Sequence, residues 1–207
     1  MKYSEFTPYI APEVQGCPDF LIERSVRDAA IEFCQRTDVY IAEPEILIVS
    51  GGLNAYDLSA PQGTELNHIL DIFEDKRELN PVSYSVLLKN LGNETTRGSP
   101  RMYSQRDNTE VYLAPIPSVA TKLRVLFSVM PSSNSTGIPN TIGREHREAI
   151  SHGALYRLQS IAGHTFTNLN LAVSNRSLFE RSVGRTIRQV KYGFSGGSLT
   201  AKSRAFI

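Results

Sequence analysis

The string Gly193-Phe194-Ser195-Gly196-Gly197 fits Gly-x-Ser-x-Gly, the pattern that seats a nucleophilic serine on a tight strand-to-helix turn. That chemistry needs an acid and then a histidine further along the chain, and no Asp, Glu or His follows Gly197. A helical pattern precedes the string, so it reads as a glycine hinge and Ser195 is not a nucleophile. The four histidines are His68, His146, His152 and His164. His146 and His152, six apart, lie roughly 120° away from a shared helix face. Glu148 and His152 can face each other at i,i+4, but two ligands do not close a metal site. Cys17 and Cys34 are 17 apart with no CxxC pair, so neither zinc nor redox chemistry is indicated. Glu74 and Asp75 belong to a charged run over 74–78 that reads as a solvated turn rather than an acid/base dyad. There is no phosphate-cradling glycine loop. The reading assigns no catalytic residue, cofactor or metal, and expects no enzyme.

The remaining chemistry is electrostatic. Residues 1–80 carry 6 Lys/Arg against 15 Asp/Glu, whereas residues 149–207 carry 8 against 1, the single acid being Glu180. The net charge of +1 therefore hides an acidic N-terminal part at −9 and a basic C-terminal part at +7. Charge of opposite sign at the two ends suits subunits that pair with copies of themselves or lie beside an acidic partner. The last helical pattern concentrates the cations at Arg176, Arg181, Arg185, Arg188 and Lys191, a spacing able to track phosphates. Aromatic interleaving is thin (Phe179, Tyr192, Phe194), which argues against sequence-specific DNA recognition. A surface that DNA passes and a dock for an acidic protein both stay open.

Composition is that of an ordinary globular chain of 207 residues, 41% hydrophobic and 21% charged. Two cysteines read as reduced, packed thiols in a reducing compartment. The first eight residues lack the apolar core of a signal peptide, and the run 46–49 is far short of the ~20 residues of a membrane helix.

These features need elements to hold them. Gly16-Cys17-Pro18-Asp19 opens a helix over about 18–37, with Ile22, Val26, Ala29 and Phe33 forming one apolar stripe. Its polar face pairs Glu23/Arg27, Arg24/Asp28 and Glu32/Arg36 at i,i+4. Short strands are expected at 46–49 (buried), 54–58 and 66–73, and 81–91 reads either as a strand or as a short helix. A hairpin is expected over 101–113 around Gln105-Arg106-Asp107-Asn108, followed by a strong strand at 122–130 with Leu123, Val125, Phe127 and Val129 inward and Lys122, Arg124 and Ser128 outward. After a Ser/Asn/Gly linker, helices run from about 140 to Gly163 and from 171 to 191, the latter with Phe179, Val183, Ile187 and Val190 as its stripe. The fold class is α+β: a helical bundle interrupted by a small antiparallel β sandwich or barrel, ending in an extended C-terminal arm. The boundaries are 1–42 (N-terminal segment and helix), 43–131 (β-rich), 132–192 (C-terminal helices) and 193–207 (arm).

The opening helix, from Gly16-Cys17-Pro18-Asp19 through Arg27-Asp28-Ala29-Ala30-Ile31-Glu32-Phe33-Cys34 to Thr37, resembles that of the head-to-tail adaptor (connector) family of tailed bacteriophages. Tyr112-Leu113-Ala114-Pro115-Ile116-Pro117 and Ile138-Pro139 followed by Ile150-Ser151-His152-Gly153-Ala154-Leu155 are similar to later motifs of that family, in the same order. The resemblance implies a virion protein made in the bacterial host cytoplasm. It would form a homo-oligomeric ring, usually dodecameric, between the portal protein and the tail or nozzle, with DNA passing through the channel without sequence-specific binding. It places portal contacts on the last helix and arm (Arg185, Arg188, Lys191, Phe194, Lys202, Arg204, Phe206) and subunit contacts on Glu23, Arg24, Arg27, Glu32 and Arg181. Gly153 then falls where helices approach closely, or is a glycine the helix merely tolerates, and the two readings stand equal. The competing readings are a virion-associated peptidoglycan hydrolase and a non-specific DNA-binding module.

Overall fold

Prolines divide the N-terminal segment into short turns. The computed structural model describes residues 1–91 and 96–193. A 3-10 turn over Tyr3–Phe6 leads into α1 (Thr7–Ile10) and a second 3-10 turn over Ala11–Glu13, with Pro8 and Pro12 each early in its turn, where a missing N–H does least harm. Tyr3, Phe6, Ile10 and Val14 are all buried. Their steps of three, four and four are a helical stripe that the sequence reading passed over.

α2 (Asp19–Thr37) starts after an extended Pro18 and ends at Asp38, whose left-handed backbone (φ 53°) turns the chain while its N–H bonds the Cys34 carbonyl at 3.0 Å. The expected helix and stripe are present: Ile22, Val26, Ala29 and Phe33 are buried, joined by Ala30 and Cys34.

The middle of the chain supplies β1 (Glu45–Val49), β2 (Ala55–Asp57), β3 (Thr64–Glu74), β4 (Arg77–Glu78), β5 (Asn80–Pro81), α3 (Tyr84–Leu91), β6 (Arg97–Gly98), β7 (Met102–Gln105), β8 (Glu110–Ala114), β9 (Ile116–Pro117) and β10 (Thr121–Pro131). One sheet runs β1-β10-β3-β4, a second β2-β8-β7-β5, and β6 pairs with β9. Pairing is antiparallel except for the short parallel contacts β5–β7 and β6–β9, which an all-antiparallel expectation did not include. The ambiguous 81–91 stretch resolves as a helix, because Leu87 and Leu91 share one buried face at i,i+4. The hairpin forms between β7 and β8, one residue later than expected, with Gln105 still on the strand.

Two strand readings need correction. Ile46 and Ile48 are 65% and 66% exposed, so β1 is not a buried strand: it ends its sheet and turns only Leu47 and Val49 inward. Ser128 of β10 is fully buried rather than solvated, because register shifts beside Phe127 and the end of α2 enclose it.

After the strands come α4 (Asn140–Glu145), α5 (Arg147–Gln159) and α6 (Leu169–Tyr192). The single helix expected up to Gly163 breaks at His146 (φ −111°, ψ 17°) and stops at Gln159. The stripe of α6 is also shifted. Its buried residues are Ala172, Asn175, Phe179, Val183 and Thr186, while Ile187 is 40% exposed.

The class is therefore α+β, with six α-helices among the described residues and several antiparallel sheets. Buried apolar side chains gather mainly in two clusters. The N-terminal turns, α2, α4, α5 and α6 share one around Phe6, Phe33, Leu158 and Phe179. Both four-stranded sheets share the other, around Leu66, Ile72, Leu113, Leu123 and Phe127. Gly137 is fixed by close approach, since a Cβ there would collide with the Met1 backbone where Lys2 bridges Gly137.

Candidate functional site

Because α6 buries a narrow stripe, its other faces are free to carry charge. At about 100° per residue, Arg188 points about 180° away from Phe179, Arg181 about 160° and Arg185 about 120°. All three are exposed and none forms an ion pair among the described residues. Lys191, also exposed, lies 5.8 Å from the Tyr192 ring centre. Cations in the last turns of a helix are favoured by its dipole, which accounts for Lys191 and less for Arg181. Arg185 borders an open cleft of 360 Å³ with Glu145, His146, Glu148, Ser182 and Gln189. Burial lowers the pKa of His146, against an upward pull from Glu145, and its ring lies 4.9 Å from that of Phe33.

The residues expected at subunit contacts divide. Arg24 is exposed and sits 4.0 Å from Asp28. Glu23 and Arg27 are half-buried, and the Arg27 Nε is enclosed without a hydrogen-bond partner. Glu32 is engaged within the chain: it accepts from Arg157, from Arg36 at 2.9 Å and from the Tyr156 hydroxyl at 3.2 Å. Arg36 also grips Glu180 of α6 with two bonds of 2.5 and 2.8 Å. That grip lowers the Glu180 pKa, with the main cause the hydrogen bond from Arg36. The four charges tie α2 to both α5 and α6.

A second polar knot joins α2 to the strands. Asp38 Oδ1 accepts from Ser128 Oγ at 2.5 Å and Asn67 Nδ2 at 2.8 Å, and lies 2.9 Å from His68 Nδ1. Asn67 also donates to the Gln35 carbonyl at 3.0 Å. The residue types are those of a hydrolytic triad, but the order is wrong. The serine hydroxyl is buried and bonds the carboxylate, not the imidazole. The knot holds the end of α2 against β3 and β10. Sequence reasoning missed it because Asp38, Asn67 and Ser128 come together only through the fold.

The other chemical candidates also have structural roles. Glu74 binds Arg77 and accepts from Ser99 at 2.7 Å. His152 Nδ1 lies 2.8 Å from Asn175 Oδ1, and Asn175 donates to Gln159 at 2.9 Å, making a polar seam between α5 and α6. Cys34 is buried and its thiol is pushed up to about 12 by that burial; Cys17 is raised too, by burial and then by Asp19. Neither is a poised thiolate. Among the described residues, no three His, Cys, Asp or Glu side chains gather as a metal site, and no helix is long and apolar enough to cross a membrane. Gly193 caps α6 with φ 67°. Phe194, Ser195, Gly196, Gly197, Lys202, Arg204 and Phe206, and with them the arm, lie outside the described residues.

What this arrangement offers is surface: a cation face on α6, an edge strand with two exposed isoleucines, and charged knots that fix the elements behind them. Comparison with known proteins agrees in kind. The profile of the SU10 adaptor protein family matches residues 1–200. No curated protein matches the chain.

Proposed function

This chain belongs to the SU10 adaptor protein family, a phage head-to-tail adaptor family, and from that premise we propose that it is a non-enzymatic structural subunit of the virion, placed at the junction of head and tail. The observation that carries this reading is the family match along nearly the whole chain. Copies assemble into a ring that links the portal protein to the tail and continues the DNA channel. The helices, residues 1–42 and 132–192, form the bundle on the portal side, and the β part, residues 43–131, forms a sandwich facing the tail. The arm, with Phe194, Lys202, Arg204 and Phe206, supplies the portal contact. Arg24, Glu23 and Arg181 contribute to contacts between subunits, where the opposite charge of the two ends favours pairing of unlike surfaces.

Portal-dependent assembly tests the reading. The purified chain is mixed with the portal protein of the same phage and followed by size-exclusion chromatography and electron microscopy. A ring seated on the portal is expected. A chain that elutes alone as a monomer, with bare portals in the images, overturns it.

A further inference from the structure

We infer that the outward face of α6 is a binding surface for the phosphate backbone of duplex DNA, read without regard to sequence. Arg181, Arg185, Arg188 and Lys191 occupy the last three turns of the helix, spanning about 15 Å along its axis. On that arc the side chains between the arginines are Ser174 and Tyr192, and Ser177 and Gly184 lie between Arg188 and Lys191. The only acid of α6, Glu180, is held by Arg36 on another side of the helix. From Arg181 onward the sequence contains six Lys/Arg and no Asp or Glu. Among the described residues no ion pair neutralises the three arginines.

The composition of the face selects its partner. A protein-protein interface is apolar and poor in charge at its centre, with charges at the rim. This face has charge at its centre, and its apolar residues Leu178 and Ile187 stand at the flanks. Single-stranded nucleic acid calls for aromatic platforms under successive bases, whereas α6 exposes one aromatic, Tyr192, and buries Phe179. A duplex asks only for cations along a line, since it presents about one phosphate charge per 1.7 Å of its axis. Direct reading of bases is not expected, because contacts to phosphate position a duplex without reading its sequence. The inference goes beyond the adaptor reading, since a chain that joined no ring would still carry this face. It also gives Arg185, Arg188 and Lys191 a partner other than the portal.

The test uses the full chain and the triple variant Arg185→Gln/Arg188→Gln/Lys191→Gln, with circular dichroism to verify folding. Binding to a fluorescent 30-base-pair duplex is followed by anisotropy between 50 and 200 mM salt, and portal-dependent assembly is scored separately. The wild-type chain is expected to bind duplexes of unrelated sequence equally and to weaken steeply with salt. Loss of three phosphate contacts should flatten the slope of log K against log salt by about 2.7 and weaken binding at least tenfold at 50 mM salt. Assembly on the portal should persist in the variant. Absence of salt-dependent binding by the wild type, or equal binding by the variant, overturns the inference. A variant that keeps DNA binding but loses the portal overturns it as well, and assigns the face to a protein. Should neither protein assemble while DNA binding follows these cations, the DNA face stands and the adaptor reading fails.

Discussion

Gly153 of α5 sits directly under the ring of Phe179 on α6, so close that a Cβ at position 153 would lie 2.9 Å from two of the ring carbons and 2.9 Å from the Ala29 Cβ on α2. One missing methyl group thus lets three helices meet. Phe179 is fully buried and cannot swing into solvent.

Gly153→Ala is therefore expected to destabilise the chain by about 1–3 kcal/mol through overpacking, even though alanine is the better helix former by about 1 kcal/mol. Gly184 on α6 has open space where its Cβ would go, so Gly184→Ala should be neutral or stabilising, by up to about 1 kcal/mol. Urea denaturation of both variants checks the pair. Equal effects would mean that the contact at 153 is not what sets the helix spacing.

Replacing Asp38 tests the knot between α2 and the strands. Asp38→Ala removes the close acceptor of the Ser128 hydroxyl and of one N–H of the Asn67 amide, leaving Ser128 only the His68 backbone and Asn67 only the Gln35 carbonyl, a loss of about 1–3 kcal/mol. It also places alanine at φ 53°. Asp38→Asn keeps an accepting oxygen and a residue tolerant of that backbone, so it should lose less than half as much. Thermal melts of the two variants, showing the alanine form clearly the weaker, are the expected result.

The grip of Arg36 on Glu180 should appear as an acid-side loss of stability. Glu180 has a lowered pKa in the folded chain, so its contribution is complete above the ordinary Glu value of about 4.3 and disappears as pH falls through the lowered value. Both side chains are more than one-third exposed, 37% and 43%, so a double-mutant cycle of Arg36→Met and Glu180→Gln should return only about 0.2–1 kcal/mol. A coupling unchanged between pH 7 and pH 3 would contradict the assignment.

His146 works in the same sense, at higher pH. Its pKa is lowered by burial, so the unfolded chain takes up a proton that the folded chain resists. Stability should fall as pH drops below about 6.5 toward the lowered folded value, and His146→Gln should remove that part of the slope. Denaturation midpoints measured from pH 7.5 to 5 decide it. A glutamine variant with the wild-type slope would rule out His146 as the source.

Local signals in the sequence were read well wherever one residue's environment followed from its near neighbours. The stripe of α2, the alternation of β10 and the Gly16-to-Thr37 motif lead to the class and to the family. Elements failed where the environment is set from a distance. Nothing within β1 announces that Ile46 and Ile48 face solvent, because that depends on the register that sets them beside the exposed Arg124 and Lys122 of β10, on the solvated face of the sheet. Ser128 looked solvated because the covering group, Asp38, is ninety positions away. The α6 stripe holds at Phe179 and Val183 but runs through Asn175 and Thr186 rather than Ile187, because a search for apolar periodicity skips buried polar residues. The cations of α6 were visible from the start. Their direction follows from Phe179 and Val183, whose burial turns Arg181 and Arg188 away from the core.

The edge formed by β1 carries a rule about symmetry. Two β1 strands laid antiparallel against each other would be related by a two-fold axis, join their open backbone edges and stop at a pair. When β1 instead meets a different surface of its neighbour, every added copy leaves one more β1 open, and the contact repeats until the rotation closes. A ring needs the second kind of contact. The strand that ends the sheet would therefore give a dead-end pair or an assembly that keeps growing according to which surface met its open backbone edge.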